Sequence, residues 1–436
     1  MRLIRAIAEL NAEGRPRIET VALYTDADAT ATFVRQADLT YYLGPAAARP
    51  YLDLAVLERA LAETGADAAW VGWGFVAEDP AFAELCEKIG VTFIGPDAEA
   101  MRKLGDKIGA KLIAEEVGVP LAPWSRGPVE NLDAALRAAE RIGYPLMLKA
   151  AAGGGGRGIR IAHDEAELRK VYTAAAREAG GAFGDDRLYV ERFIERARHI
   201  EVQVLGDGAE VIHFGERECS LQRRRQKVVE ESPAPGLGAA TREGLCAAAL
   251  ALREAIGYRS AGTVEFLVDD ATGDHFFIEM NTRIQVEHPV TELVTGVDLV
   301  AEQLRIAGGE PLRLTQDDIA ARGCAIELRL NAEDPANDFL PSPGTATTVR
   351  LPSGPWVRVD GWLAAGGEVP PFYDSLLAKI IVWGDDRETA LARARRALAE
   401  LEVDGISTTA PLLTDLLRAD WFAAGDFHTA TLEAWL

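Results

Sequence analysis

The chain has 436 residues, 48% of them hydrophobic, and its 46 Lys and Arg against 68 Asp and Glu leave a formal net charge of −22. That length predicts about two to four domains, each able to bury a core, and 26% charged with 7% aromatic residues is globular composition. So acidic a field repels nucleic-acid backbones and anionic lipid, which excludes a general nucleic-acid or membrane-surface binder and leaves only local basic clusters to hold a small anion. No apolar run reaches the ~18 residues of a membrane helix. The cysteines (Cys86, Cys219, Cys246, Cys324) stand far apart, and neither they nor the histidines make a zinc pattern. A reducing, cytoplasmic setting is expected.

The first ten residues, MRLIRAIAEL, have the spacing of an amphipathic helix. Residues 18–24 are β-rich, 52–63 helical, 68–71 apolar, 80–88 helical and 91–94 apolar again. Such alternation predicts parallel strands covered by helices. A doubly wound domain ordinarily begins on a strand, so a sheet lacking its first strand is expected here. From residue 96, helices at 106–117 and 131–142 lead to a strand at 144–149, a glycine-rich loop and a return strand at 158–162. A helix at 165–177 precedes a strand at 188–193. An antiparallel series is expected next, at 199–205, 210–214, 262–268 and 276–281, with an Ala-rich helix at 239–256 inside it. The last portion mixes strands (324–331, 345–351, 376–383) with a helix at 387–401. With no internal repeat or long linker, three compact α/β or α+β units follow.

Four segments carry chemistry. In Lys149-Ala-Ala-Ala-Gly-Gly-Gly-Gly-Arg-Gly158 the glycines free the backbone to aim N–H groups at one anion, with Lys149 and Arg157 adding charge. No Lys-Ser/Thr follows, so this is no P-loop; strand, glycine loop and strand make a flap that can close over phosphates. Phe277-Ile-Glu-Met-Asn-Thr-Arg-Ile-Gln-Val-Glu287 alternates with period two, placing Glu279, Asn281, Arg283, Gln285 and Glu287 on one side wherever it stays extended. An ordinary half-exposed strand would carry Thr, Lys or Ser there. Oxygens at Glu279 and Asn281 suit magnesium, Arg283 can fork onto a small oxyanion, and Glu287 is a candidate base. Glu265, in Gly262-Thr-Val-Glu-Phe-Leu267, could clamp metal with Glu279 if the two strands are neighbours, although a solvated Glu is the commoner outcome. Residues 198–204 set His199, Glu201 and Gln203 against Ile200, Val202 and Val204, and residues 222–231 pack Arg223, Arg224, Arg225 and Lys227 together. The bland reading of that cluster is a basic loop paired to surface acids; against a −22 background, anion binding is favoured. Spacing thus yields a magnesium-nucleotide phosphotransfer or ligase site with a pocket for a small oxyanion. A module that binds ATP without turnover stays open, with Glu287 arguing against it.

Glu279–Glu287 with His288-Pro-Val-Thr-Glu292, the run Glu216–Glu231 and the glycine flap together resemble biotin carboxylase, the ATP-grasp component of biotin-dependent carboxylases. The likeness continues through Ile94-Gly-Pro96, Ala332-Glu-Asp-Pro335, Leu340-Pro-Ser-Pro-Gly344 and Phe372-Tyr-Asp-Ser375, essentially the whole chain. It implies a Rossmann-like N-terminal domain (1–95), an ATP-grasp domain (96–320) with a mobile glycine-rich lid at about 120–194, and an α+β C-terminal domain (321–436). The implied reaction activates bicarbonate with ATP as carboxyphosphate and carboxylates N1′ of biotin. Carried over by position, Lys107, Lys149, Gly155, Gly156, His199, Gln222 and Arg225 would contact ATP, with Glu191 and Phe193 at the adenine hinge. Glu265, Glu279 and Asn281 match the magnesium or manganese ligands, and Lys227, Arg283, Gln285 and Val286 the bicarbonate pocket. Glu287 matches the base and Arg329 the group that stabilises the biotin enolate.

Some positions depart from the family pattern. Arg225 stands where a nucleotide-contacting His is usual, Ala152 replaces the first flap glycine, and Trp70-Val-Gly-Trp-Gly-Phe75 replaces His-Pro-Gly-Tyr-Gly-Phe. No biotin-acceptor Met-Lys-Met occurs, so biotin is expected on a carrier domain or subunit, with a separate carboxyltransferase; a homodimer is allowed. The alternatives carried forward are another bicarbonate-activating ATP-grasp ligase, such as a carbamoyl-phosphate-synthesising enzyme, and an inactive nucleotide-binding partner of a carboxylase.

Overall fold

A computed structural model of the chain describes residues 1–14, 16–151 and 159–436, so Gly155 and Gly156 of the flap lie outside the described residues. Helix α1 (Arg2–Ala12) forms where the spacing predicts it and buries Ala6, Ile7 and Leu10. The alternation that follows yields two parallel pairs, β1 (Val21–Thr25) with β2 (Leu39–Gly44) and β3 (Ala68–Ala69) with β4 (Thr92–Phe93). Parallel pairing is as expected, but among the described residues the two pairs are not joined into one sheet. Helix α2 (Lys107–Glu116) starts where the Asp106 carboxylate accepts from the Ile108 N–H.

Strand β5 (Leu146–Ala150) pairs antiparallel with β6 (Arg160–Ala162) and β7 (Leu188–Arg192), which is the hairpin expected around the glycine loop. Helices Leu132–Ile142 and Glu165–Phe183 cover it through Ala135, Ala139, Leu168 and Ala175. The second helix outruns its predicted end and stops at Gly184, whose φ of 72° caps it.

Eight strands make the central sheet: β8 (Ala197–Asp207), β9 (Val211–Arg223), β10 (Gln226–Ser232), β11 (Arg259–Asp269), β12 (His275–Asn281), β13 (Cys324–Asn331), β14 (Val357–Gly361) and β15 (Leu376–Gly384). Their order is β12-β11-β8-β9-β10-β13-β15-β14, antiparallel throughout. One face is apolar. Ile200, Val202, Val204, Val264 and Phe266 pack on Leu245, Ala249 and Leu252 of α3 (Ala239–Glu254). Across that face, Ile326, Leu328, Ile380 and Val382 join Ala390, Ala394 and Leu398 of helix Arg387–Glu400. The opposite face presents His199, Glu201, Gln203, Thr263 and Glu265, as the alternation predicts. Helix α4 (His288–Thr295) closes over part of it, with Thr291 Oγ1 accepting from Arg217 at 3.0 Å.

Two segments take backbone shapes that the spacing left open. The extended reading of 277–287 holds only to Asn281, where β12 ends; the chain then bends and enters α4 with Glu287 as N-cap. The basic stretch 222–231 is a β-hairpin: β9 and β10 meet at Arg224 and Arg225, with φ of 46° and 65°. Arg223 and Arg224 pair with Asp338, and Lys227 turns into the polar face. Among the described residues no helix is long and apolar enough to cross a membrane, and all four cysteines are free and buried.

Phe266 is fully buried and packs edge-on against Phe277 with centroids 6.3 Å apart. Phe266→Ala should cost ~3–5 kcal/mol, read as a lower denaturant midpoint with an unchanged slope.

Candidate active site

The polar face gathers its charges by strand register. Glu265 on β11 stands opposite Glu201 on β8 and opposite Glu279 on β12, so three carboxylates cross neighbouring strands in a row. Lys227 on β10 reaches over them. Its Nζ donates to Glu201 Oε2 at 2.6 Å, to Glu287 Oε1 at 2.5 Å and, more weakly, to Glu265 Oε1 at 3.3 Å. Below it the fully buried Arg217 donates to Glu201 (2.5 Å), Gln203 (2.8 Å), Thr291 (3.0 Å) and Thr263 (3.1 Å). Two cations on Glu201 thus hold a carboxylate with no solvent exposure.

Glu287, also fully buried, is pinned by Lys227 and by Arg329 Nη2 at 2.9 Å. Burial alone would raise its carboxyl, but Lys227, Arg329 and Arg217 outweigh that and hold it well below the usual carboxylate range. Glu265 behaves alike: burial opposes ionisation, while Lys227 and the His199 ring, with Nε2 3.1 Å from Oε2, keep it ionised. Arg283 lies in the same neighbourhood, donating to Gln285 Oε1 (3.0 Å), Asn281 Oδ1 (3.1 Å) and Glu78 Oε2 (3.0 Å). Asn281 Nδ2 and Gln285 Nε2 both donate to Glu265 Oε1, at 2.9 and 3.2 Å. The Val286 carbonyl accepts from the buried Lys379 at 2.5 Å.

A second group lies toward the small sheet. Lys107 donates to Glu279 Oε2 at 2.6 Å. Lys149 and Lys111 both pair with Glu191, whose carboxyl falls to about 2 because the two ammoniums overcome its burial. Gln222 Nε2 sits 3.0 Å from His199 Nδ1 and donates to the Cys219 carbonyl at 2.8 Å. Phe193 follows β7, its N–H donating to the Pro145 carbonyl at 3.0 Å. Arg225 stands at the exposed tip of the β9–β10 hairpin.

Register and hydrogen bonds therefore bring together Lys227, Glu265, Asn281, Arg283, Gln285, Glu287 and Arg329, with Glu279 and Lys107 adjoining. Hard oxygens from Glu265, Glu279 and Asn281 on two adjacent strands are the donor set a magnesium or manganese ion takes. Sequence reasoning missed five contributors: Glu78, Lys111, Arg217, Cys219 and Glu230. Arg217 stands opposite Glu201 in the β8–β9 register, a pairing the sequence does not announce; Glu78 has no local signal and matters only through its long-range bonds.

Comparison with known proteins decides between ligase families. The ATP binding domain of the carbamoyl-phosphate synthase L chain matches residues 106–315, which by itself leaves the carbamoyl-phosphate alternative open. The biotin carboxylase N-terminal domain matches residues 1–101 and the biotin carboxylase C-terminal domain residues 327–434. Biotin carboxylase 1 of Bacillus subtilis is 47% identical over 437 residues, spanning 100% of this chain and 96% of that protein. The chain belongs to the biotin carboxylase family. The biotin carboxylase of Pseudomonas aeruginosa is 49% identical, over 99% of this chain and 95% of its own. Among solved structures, the biotin carboxylase domain dimer of Hydrogenobacter thermophilus 2-oxoglutarate carboxylase, crystallised with MgADP, ADP and bicarbonate, superposes with a TM-score of 0.94. It is 47% identical and covers 99% of this chain and 94% of that one.

Arg217→Met should destabilise this biotin carboxylase by ~3–5 kcal/mol, because it strips a buried partner from Glu201; equilibrium unfolding of the pure protein measures it.

Proposed function

We propose that the chain uses ATP to activate bicarbonate as carboxyphosphate and then carboxylates N1′ of biotin presented by a carrier. The observation that carries this reading is the convergence of a buried carboxylate, Glu287, with three cations, Lys227, Arg283 and Arg329, on one polar face. A carboxylate held ionised can accept the proton of bicarbonate, while the adjacent ammonium and guanidinium stabilise the dianion that forms. Lys227, Arg283, Gln285 and Val286 form the bicarbonate pocket in this reading. Arg329 offers its guanidinium to the enolate oxygen of the biotin ureido group as N1′ becomes nucleophilic.

Nucleotide binding falls to Lys107, Lys149, His199, Gln222 and Arg225, with Glu191 and Phe193 near the base and the glycine flap over the phosphates. Glu265, Glu279 and Asn281 would hold magnesium or manganese, which when bound neutralises phosphate charge. Carboxyphosphate reacts readily with water, so a flap that closes over it protects the intermediate. The domain division 1–95, 96–320 and 321–436 belongs to the same proposal. So do a biotin carboxyl carrier and a carboxyltransferase as partners, a homodimer, and a reducing cytoplasmic setting in keeping with four free buried cysteines.

The direct test is carboxylation of free biotin from MgATP and labelled bicarbonate; ATP cleavage stimulated by ammonia and indifferent to biotin would transfer the chain to carbamoyl-phosphate chemistry. Glu287→Gln should leave MgATP binding nearly intact and lower bicarbonate-dependent turnover by ~100-fold or more, the scale of a lost general base. Arg329→Ala should reduce biotin carboxylation more than biotin-independent ATP cleavage, and the ratio of the two rates reads it directly.

A further inference from the structure

Arg329 leans on a carboxyl that the reaction above leaves without a role. Glu230 on β10 is fully buried, and its Oε1 accepts from Arg329 Nε at 2.6 Å and also contacts Nη2. The same Nη2 donates to Glu287 Oε2 at 2.9 Å. Nη1 keeps no partner among the described residues. One guanidinium is therefore divided between two carboxylates, with its remaining donors free. Glu230 Oε2 has no partner either, nor has either oxygen of Glu327, which stands directly opposite Glu230 in the β10–β13 register and is equally buried.

The division has an electrostatic consequence. If Glu230 lost its charge, Glu287 would be the only hydrogen-bonded carboxylate still drawing Arg329, already within 2.9 Å of it. The guanidinium would then settle onto the base, and the two groups the reaction needs would neutralise each other. We propose that Glu230 is a positioning residue for the biotin half of the reaction, holding the Nε edge of Arg329 so that Glu287 does not capture the guanidinium and Nη1 stays free for the ureido oxygen. This rests on the role given to Arg329 above.

Charges around Glu230 come from several elements: Lys227 on its own strand, Arg329 and Glu327 on β13, Lys379 on β15, and Glu287 at the head of α4. Burial pushes the Glu230 carboxyl up to about 7 against the pull of Arg329. It pushes Glu327 up as well, and neither Glu327 oxygen hydrogen-bonds the guanidinium.

The test is a double-mutant cycle on the full chain, with thermal unfolding as a check on folding. Glu230→Gln should lower kcat/KM for biotin by about tenfold or more, the worth of a hydrogen bond to a charged group, and bicarbonate-dependent ATP cleavage by less. Glu230→Asp, which keeps the charge, should regain part of the loss. In an Arg329→Ala background Glu230→Gln should cost nothing further. An equal loss in both backgrounds, or equal losses in biotin carboxylation and ATP cleavage, would reject positioning in favour of a purely structural role. If Arg329→Ala itself spares biotin carboxylation, the role of Arg329 fails and this inference with it; if Arg329→Ala is selective and Glu230→Gln silent, only Glu230 is wrong. Should Glu230→Gln not fold, the cycle is read with Glu230→Asp, where a partial selective loss absent from the Arg329→Ala background supports the proposal and one shared by both backgrounds overturns it.

Discussion

One ammonium shared among three buried carboxylates organises this protein. Lys227 touches Glu201, Glu265 and Glu287, and two of those acids have no solvent exposure at all. Like charges so placed would repel by several kcal/mol at low dielectric, and each has lost its water. Lys227, Arg217, Arg329 and His199 interleave with them. Such a set stabilises the fold weakly at best, since desolvation consumes most of the attraction. What it provides is preorganisation: fixed charges that need not rearrange when an anion arrives or a proton moves.

The sheet is what makes that arrangement possible. Its apolar face is covered by two helices and supplies the burial that holds the strands; its polar face is then free to carry charges that no core would tolerate. Residues 226–232 pair directly with residues 324–331, so the sheet runs on without a break, and Arg329 meets Glu230 and Glu287 across that seam. The amino-terminal portion contributes too. Glu78 receives both Arg283 Nε and the Thr282 N–H at 3.0 Å, fixing the bend that follows β12. That bend turns the backbone out of the strand while Arg283, Gln285 and Glu287 still reach the same face.

Much of the site was legible because period-two alternation says which residues share a strand face. His199, Glu201 and Gln203 against Ile200, Val202 and Val204 held as read, and so did Glu265 beside Glu279 once their strands proved neighbours. In the basic run at 223–227, charge density did not tell which cation turns inward. Arg223 and Arg224 found Asp338, more than a hundred positions away, and Lys227 found the carboxylates. In 277–287 the polar pattern continues after the strand ends at Asn281, so alternation alone did not show where the backbone changes.

The sequence by itself determined many of the element types, the polar and apolar faces of the strands it located and the family, since these follow from local spacing and from motifs that survive without knowledge of partners. Only the tertiary structure decided which cation serves which acid. Lys227 and Glu287 lie 60 positions apart, Arg329 and Glu230 lie 99 apart, and Arg283 and Glu78 lie 205 apart. Coulomb energy depends on distance in space, and strand order and register, which set that distance, are properties of the whole sheet rather than of any one strand.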